Sequence, residues 1–197
     1  MTLRRRTSTE ATGLINEFLG SSHVFHSVVT DVIENGLLRD VTHGKLTFPQ
    51  LKLLRIVALE IVQSVSEVAA FLGVSKAAAS KAVDGLVRRR LLKRSEGKPD
   101  RRSIHVSLTA QGQRLMTEYH AARDARLGAL FSQFTANELS HTAKLLDRLS
   151  TRMSEDREEA HEVCHQCSIY FRERCHMRQM VNRNCLYSRH RSKRRER

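Results

Sequence analysis

Residues 64–87, SVSEVAAFLGVSKAAASKAVDGLV, decide the fold of this chain. Val65, Val68, Ala69 and Leu72 fall at helical spacing and stop at Gly73, a residue that turns the backbone sharply at little cost. Ser75 then offers a side-chain oxygen suited to capping a second helix. Along that second helix Ala79, Val83, Leu86 and Val87 share one apolar stripe, whereas Lys76, Ala77, Ser80, Lys81 and Asp84 fall on the opposite side. The stripe is predicted to face inward and the small and basic residues outward. A capped pair of short helices joined through a glycine is a helix-turn-helix. Its outer face is short-chained and carries donors near the helix N-terminus, which is what a major groove admits.

The next stretch, LLKRSEGKPDRRSIHVSLT from Leu91 to Thr109, sets turn-forming Gly97 and Pro99 between two short strand-like runs. The second run alternates, with Ile104, Val106 and Leu108 on one side. The pattern predicts a two-stranded hairpin with a charged tip. Lys98, Arg101 and Arg102 sit where such a tip reaches a minor groove, whose negative potential attracts guanidinium groups, and Asp100 is placed to orient one of them. Residues 76–102 hold ten Lys or Arg against three Asp or Glu, a net of +7, so more than half of the chain's +13 lies in 27 of its 197 residues.

Asp100 and Arg102, followed by Ser103, Val106, Leu108 and Thr109 directly behind a helix-turn-helix, resemble the MarR family of bacterial winged-helix regulators. The resemblance covers roughly residues 10–153. It implies a recognition helix over 75–89, a wing over 96–103 and long outer helices that form a dimer interface. It also implies that Arg102 enters the minor groove while Asp100 steadies it. The expected fold class is therefore mainly α: a winged helix-turn-helix with a small β-hairpin wing and a helical dimerisation bundle. One position departs from the pattern, since such proteins usually carry Gly where this chain has Arg90. A non-glycine residue held left-handed costs about 1–2 kcal/mol, so either the helix ends differently or Arg90 meets a phosphate. The DNA-binding set read from the sequence is Ser75, Lys76, Ala77, Ser80, Lys81, Arg90, Lys98, Asp100, Arg101 and Arg102.

Outside this core, Phe25, Val28, Val29, Val32 and Ile33 repeat at helical spacing within a first helix expected over residues 9–38, behind a flexible N-terminus over 1–8. A second helix is predicted to begin at Thr47, with a capping box to Gln50. Thr109 opens a long helix to about Phe134, and Thr135 with Glu138 caps the next. The winged-helix domain is expected over 9–153, with a DNA-binding lobe over about 47–108 and dimerisation helices over 9–38 and 109–153. A homodimer would read a pseudo-palindromic duplex. At 40% apolar and 5% aromatic residues the composition suits a helical domain, and a pI near 10.3 favours polyanionic partners. The N-terminus MTLRRRTSTEATG has no apolar run behind its basic residues, and no stretch of 18 apolar residues occurs, so no membrane association and a cytoplasmic location are expected.

All four cysteines lie in the extension 154–197, as Cys164, Cys167, Cys175 and Cys185. Clustered thiols in a cytosolic chain point to metal more than to disulfides. In one straight helix Cys164 and Cys175 would stand about 16 Å apart, so convergence of all four requires a bend between Cys167 and Cys175. Zinc ribbons pair two knuckles, but here only Cys164 and Cys167 form a CxxC. That arrangement suits an iron–sulfur cluster, 4Fe–4S ahead of 2Fe–2S, with structural zinc as the alternative and redox or inert thiols behind. His161, His165, His176 and His190 lie around them. The final RHRSKRRER, net +5, reads as a solvated basic tail.

The expected function is a sequence-specific DNA-binding transcriptional regulator, a repressor, whose affinity is controlled by an iron–sulfur cluster sensing redox state, oxygen, nitric oxide or iron. Two alternatives stand beside it. One is a regulator that senses a small organic ligand while the cysteines hold zinc; the other is a redox or electron-transfer subunit that docks proteins through its winged helix. No enzyme is expected: no G-x-S-x-G and no phosphate-binding loop occurs.

Overall fold

The structure, a computed structural model, describes residues 2–59, 64–96 and 104–154, with side chains from residue 11 onward. The expected Lys98, Asp100, Arg101 and Arg102 of the wing tip, and Cys164, Cys167, Cys175 and Cys185, lie outside the described residues. The chain divides into two compact units, Met1–Phe48 and Pro49–Arg197.

The first unit is helical almost throughout. Helix α1 runs over Thr2–Val28, a π-helical segment follows over Val29–Gly36, and α2 covers Leu37–Thr42. The helix thus starts at Thr2 rather than at residue 9 behind a flexible segment. No Gly or Pro interrupts residues 2–12, and the Arg4–Arg6 run has good helix propensity. The π-helical stretch was not legible beforehand. It coincides with Val28, Val29, Thr30, Val32 and Ile33, five β-branched residues in six positions, whose stiff side chains crowd the preceding turn of a regular α-helix. Helix α2 ends at His43, left-handed at φ 51°, with its N–H bonded to the Arg39 carbonyl. Ile33 is buried, while Phe25, Val28 and Val32 of the expected stripe stay exposed together with Leu14, Ile15 and Val24.

The second unit opens with α3, Phe48–Ala58, at the start expected from Thr47. Leu51 and every residue from Leu53 to Val57 are buried, so this helix is a central element, enclosed on nearly all sides. Helix α4, Val65–Leu72, is opened by Ser64: its hydroxyl accepts from the Glu67 N–H at 3.2 Å while Glu67 Oε2 accepts from the Ser64 N–H at 3.0 Å. This capping box is spelled in the sequence as Ser64-x-x-Glu67 and satisfies two otherwise orphaned donors. Gly73, at φ 65°, closes α4 as the sequence required. Helix α5 follows over Lys76–Arg88, then the antiparallel strands β1, Leu92–Glu96, and β2, Ile104–Leu108, in the register Leu92 to Leu108 and Glu96 to Ile104. An isolated antiparallel bridge from Ser64 to His105 adds a third backbone to the outer edge of β2.

Helix α6 spans Ala110–Phe131 and is capped by Thr109, whose hydroxyl accepts from the Gly112 N–H at 3.0 Å. Helix α7 spans Ala136–Ser154 and starts at the expected Thr135–Glu138 box, with Glu138 Oε2 accepting from the Thr135 N–H at 2.8 Å and from its hydroxyl at 2.7 Å. Those bonds hold the Glu138 carboxyl below its ordinary value. The architecture is the mainly helical winged helix-turn-helix that the sequence predicted. No helix among the described residues is long and apolar enough to cross a membrane.

Candidate nucleic-acid interface

The helix-turn-helix is α4, Gly73 and α5, and its packing follows the sequence stripe. Ala79, Val83 and Leu86 of α5 have no exposed surface, and Val68, Ala69 and Phe71 of α4 are buried beside them in the core. Phe71 takes the buried position expected of Leu72, which is half-buried, as are Val65 and Val87. A ring one residue off the ideal stripe fills more volume than the leucine and wins the interior.

The opposite side of α5 presents the residues assigned to duplex contact. Lys76, Ala77 and Lys81 are exposed and Ser80 is half-buried. Ser75, extended at φ −62° and ψ 151°, accepts from the Ala78 N–H at 3.2 Å. Its oxygen is thus committed to capping, and any contact with a ligand must use its hydroxyl proton or backbone. An exposed N-terminal turn with a short-chained surface between two lysines allows close approach of an anionic backbone.

Two features of this face went unread in the sequence. Arg94, from β1, places Nη1 2.9 Å from Asp84 Oδ1 and Nη2 3.4 Å from Ser80 Oγ. Strand parity was the available signal: Arg94 lies two residues after buried Leu92 and opposite buried Val106, so it shares their side of the hairpin. Ile104 departs from the same parity, standing exposed at the end of β2 next to the tip although its expected partners Val106 and Leu108 turn inward.

The end of α5 resolves the question raised by Arg90. The helix does not end differently: Arg90 adopts φ 58°, its N–H donates to the Val87 carbonyl at 2.8 Å, and the Leu91 N–H donates to Leu86 at 3.0 Å. This is a Schellman cap with arginine in the glycine position, closed by buried Leu86 and Leu91. Thr109 helps to hold it, donating its hydroxyl to the Arg90 carbonyl at 2.5 Å and its N–H to Leu91 at 3.1 Å. Arg88, Arg89 and Arg90 stand exposed in succession, with Arg89 Nη1 donating to Gln50 Oε1 at 3.4 Å.

Helices α3 and α6 meet through Arg55 and His120. Arg55 is buried and its Nη1 lies 3.4 Å from His120 Nδ1. A guanidinium has no acceptor, so that imidazole nitrogen accepts and the ring is neutral there. Burial, then the charges of Arg55 and Arg123, pull the His120 imidazole below its ordinary value, with Asp124 opposing. Among the described residues no group of three or more His, Cys, Asp or Glu is gathered to hold a metal ion.

The comparisons agree with this geometry. Residues 44–103 match the model of the MarR family. The fold is similar to YusO from Bacillus subtilis, at 24% identity and TM-score 0.54, over 69% of this chain and 96% of that one. It is also similar to FabT from Streptococcus pneumoniae in complex with DNA, at 20% identity and TM-score 0.58, over 74% and 99% of the two chains. PefR from Streptococcus agalactiae, a heme sensor solved in complex with heme, matches at 19% identity and TM-score 0.54, over 71% and 97%. No curated protein matches the chain.

Proposed function

With residues 44–103 taken as a MarR family domain, we propose that the protein is a homodimeric, sequence-specific DNA-binding regulator of transcription. One observation carries this reading: α5 buries Ala79, Val83 and Leu86 completely while Lys76, Ala77 and Lys81 stay exposed on its other side. A helix anchored that firmly presents its outer face as a rigid probe, and the basic residues that follow it supply the phosphate contacts that fix the register. FabT, of similar fold, is seen in complex with DNA. The exposed apolar residues Leu14, Ile15, Phe18, Val24, Phe25, Val28 and Val32 on one helical rod are the surface a second copy would cover.

The decisive measurement is fluorescence anisotropy of the full chain on genomic duplexes across a salt series. Affinity falls with salt along a slope set by the number of phosphates met, and Lys76→Ala or Lys81→Ala lowers that slope by about one. Binding that is indifferent to salt and to both substitutions refutes the reading, and favours a protein-docking role for the winged helix.

The signal is assigned to Cys164, Cys167, Cys175 and Cys185 as ligands of an iron–sulfur cluster. Support comes from the sequence: four clustered thiols with only one CxxC, next to Arg172, Arg174, Arg178 and Arg183, whose charges offset a tetrathiolate centre. The extension follows α7 directly, so its state can bias the helices of a dimer, by reciprocal coupling of typically about 1–3 kcal/mol. Anaerobic purification with iron, sulfide and zinc quantified per chain tests this, and Cys→Ala at each position removes the iron and alters duplex affinity. Zinc without iron refutes the cluster and leaves the second reading, a regulator sensing a small ligand with zinc for stability, which the similarity to the heme sensor PefR favours.

A further inference from the structure

We infer that Arg94 determines what the reading face of α5 offers to a base pair: its guanidinium clamps Ser80 and Asp84, so that the serine hydroxyl meets the groove as a donor and the carboxylate meets it neutralised. The inference rests on the DNA-binding reading above and deepens it, making a strand residue a specificity-determining partner of the recognition helix.

Ser80 and Asp84 are four residues apart and therefore lie one above the other on α5. Arg94 reaches both from β1, 2.9 Å from Asp84 Oδ1 and 3.4 Å from Ser80 Oγ, with about a third of its side chain accessible. A serine hydroxyl by itself is ambivalent, able to donate or accept. Arginine has no acceptor, so in this pair the Ser80 oxygen receives the bond, and the neighbouring positive charge turns the hydroxyl proton outward. Such a hydroxyl prefers base edges that accept: guanine O6 and N7, adenine N7 or thymine O4. Free Asp84 would do the opposite, accepting from cytosine N4 and repelling phosphate. Held by Arg94, it does neither. The planar guanidinium fork meets two partners at once, which a lysine ammonium does not reproduce.

The test selects preferred sites from a randomised duplex pool with the full wild-type chain and with R94Q, R94K, D84N and the R94Q/D84N double variant. Wild type selects an acceptor-bearing base at one position in each half-site. R94Q weakens that preference about fivefold, one hydrogen bond of about 1 kcal/mol at 1.4 kcal/mol per decade, and gains cytosine at the same position. Adding D84N weakens the gained cytosine, because a neutral amide oxygen is a poorer acceptor than a carboxylate, without restoring the original preference. A purely structural brace predicts something else: affinity lost uniformly over all sequences with the selected base unchanged, and that result overturns the inference. Thermal melts accompany each variant. Should R94Q fail to fold, R94K, which keeps the cation, decides in its place: a shifted preference supports the clamp and an unchanged one overturns it. A wild-type chain that selects no duplex at all defeats the DNA-binding reading itself, an outcome distinct from an unaltered selection by the Arg94 variants.

Discussion

Gly112 is the position where one added methyl group should do the most damage. A Cβ there would fall well inside the van der Waals radius of the Leu91 carbonyl oxygen and 3.1 Å from Leu108 Cδ2. The oxygen has nowhere to go, because it accepts from the Thr109 N–H at 3.1 Å in the junction that joins the end of α5 to the start of α6. Gly112→Ala therefore forces the first turn of α6 away from Leu91. It loses the Thr109 bond and the hydroxyl bond from Thr109 to Arg90, about 1 kcal/mol each. Residual overpacking adds about 1–3 kcal/mol, and alanine returns about 1 kcal/mol through helix propensity. The net is a destabilisation of about 2–4 kcal/mol, or a Tm lower by about 4–16 °C for a domain of this size. Thermal unfolding followed by circular dichroism measures it. Gly128→Ala, in the same helix but with nothing within 4 Å of the added carbon, is the control and should raise the Tm by about 2–4 °C. A Gly112 variant as stable as the control would show that the approach to Leu91 is not close, and would refute the reasoning.

Further outcomes follow from the same geometry. Arg90→Gly relieves a left-handed arginine and should stabilise the fold by about 1 kcal/mol in a denaturant melt, yet lower the slope of duplex affinity against salt by about one; an unchanged slope removes Arg90 from the phosphate contacts. The His120 imidazole is held below its ordinary value of 6.5, so the unfolded chain takes up the proton first. The stability this group contributes is complete above that value and is lost as pH falls through the lowered folded value, and His120→Asn should flatten this part of a Tm-versus-pH profile. Phe25→Glu together with Val32→Glu places two charges on the exposed apolar stripe and should convert a dimer to a monomer in analytical ultracentrifugation; a dimer that survives both would move the interface elsewhere.

Much of the α4–α5 arrangement was legible because its determinants are neighbours in sequence. The glycine after Leu72, the capping oxygen of Ser75, and the three-and-four spacing of Ala79, Val83 and Leu86 each act within a turn or two of helix. Their burial and cap geometry are what spacing and hydrogen-bonding capacity require. The same held for the Thr135–Glu138 box and for Thr109 at the head of α6. Legibility failed where neighbouring side chains compete for the same volume. Phe71 displaced Leu72 from the interior because ring volume outweighed ideal phase. A cluster of β-branched residues gave Val29–Gly36 a wider helical turn than the pattern implied.

The amino-acid order by itself determined the succession of capped helices and the hairpin, the position of α5 and the concentration of positive charge around it, since each depends on backbone preferences and side-chain period over a few residues. Tertiary structure alone decided that Arg94 reaches Ser80 and Asp84, that Arg90 tolerates a left-handed backbone under the hold of Thr109, and that Gly112 must lack a side chain. Those partners are 10 to 21 residues apart along the chain, and whether they meet is set by how strand and helices pack into shared volume, which no local pattern encodes.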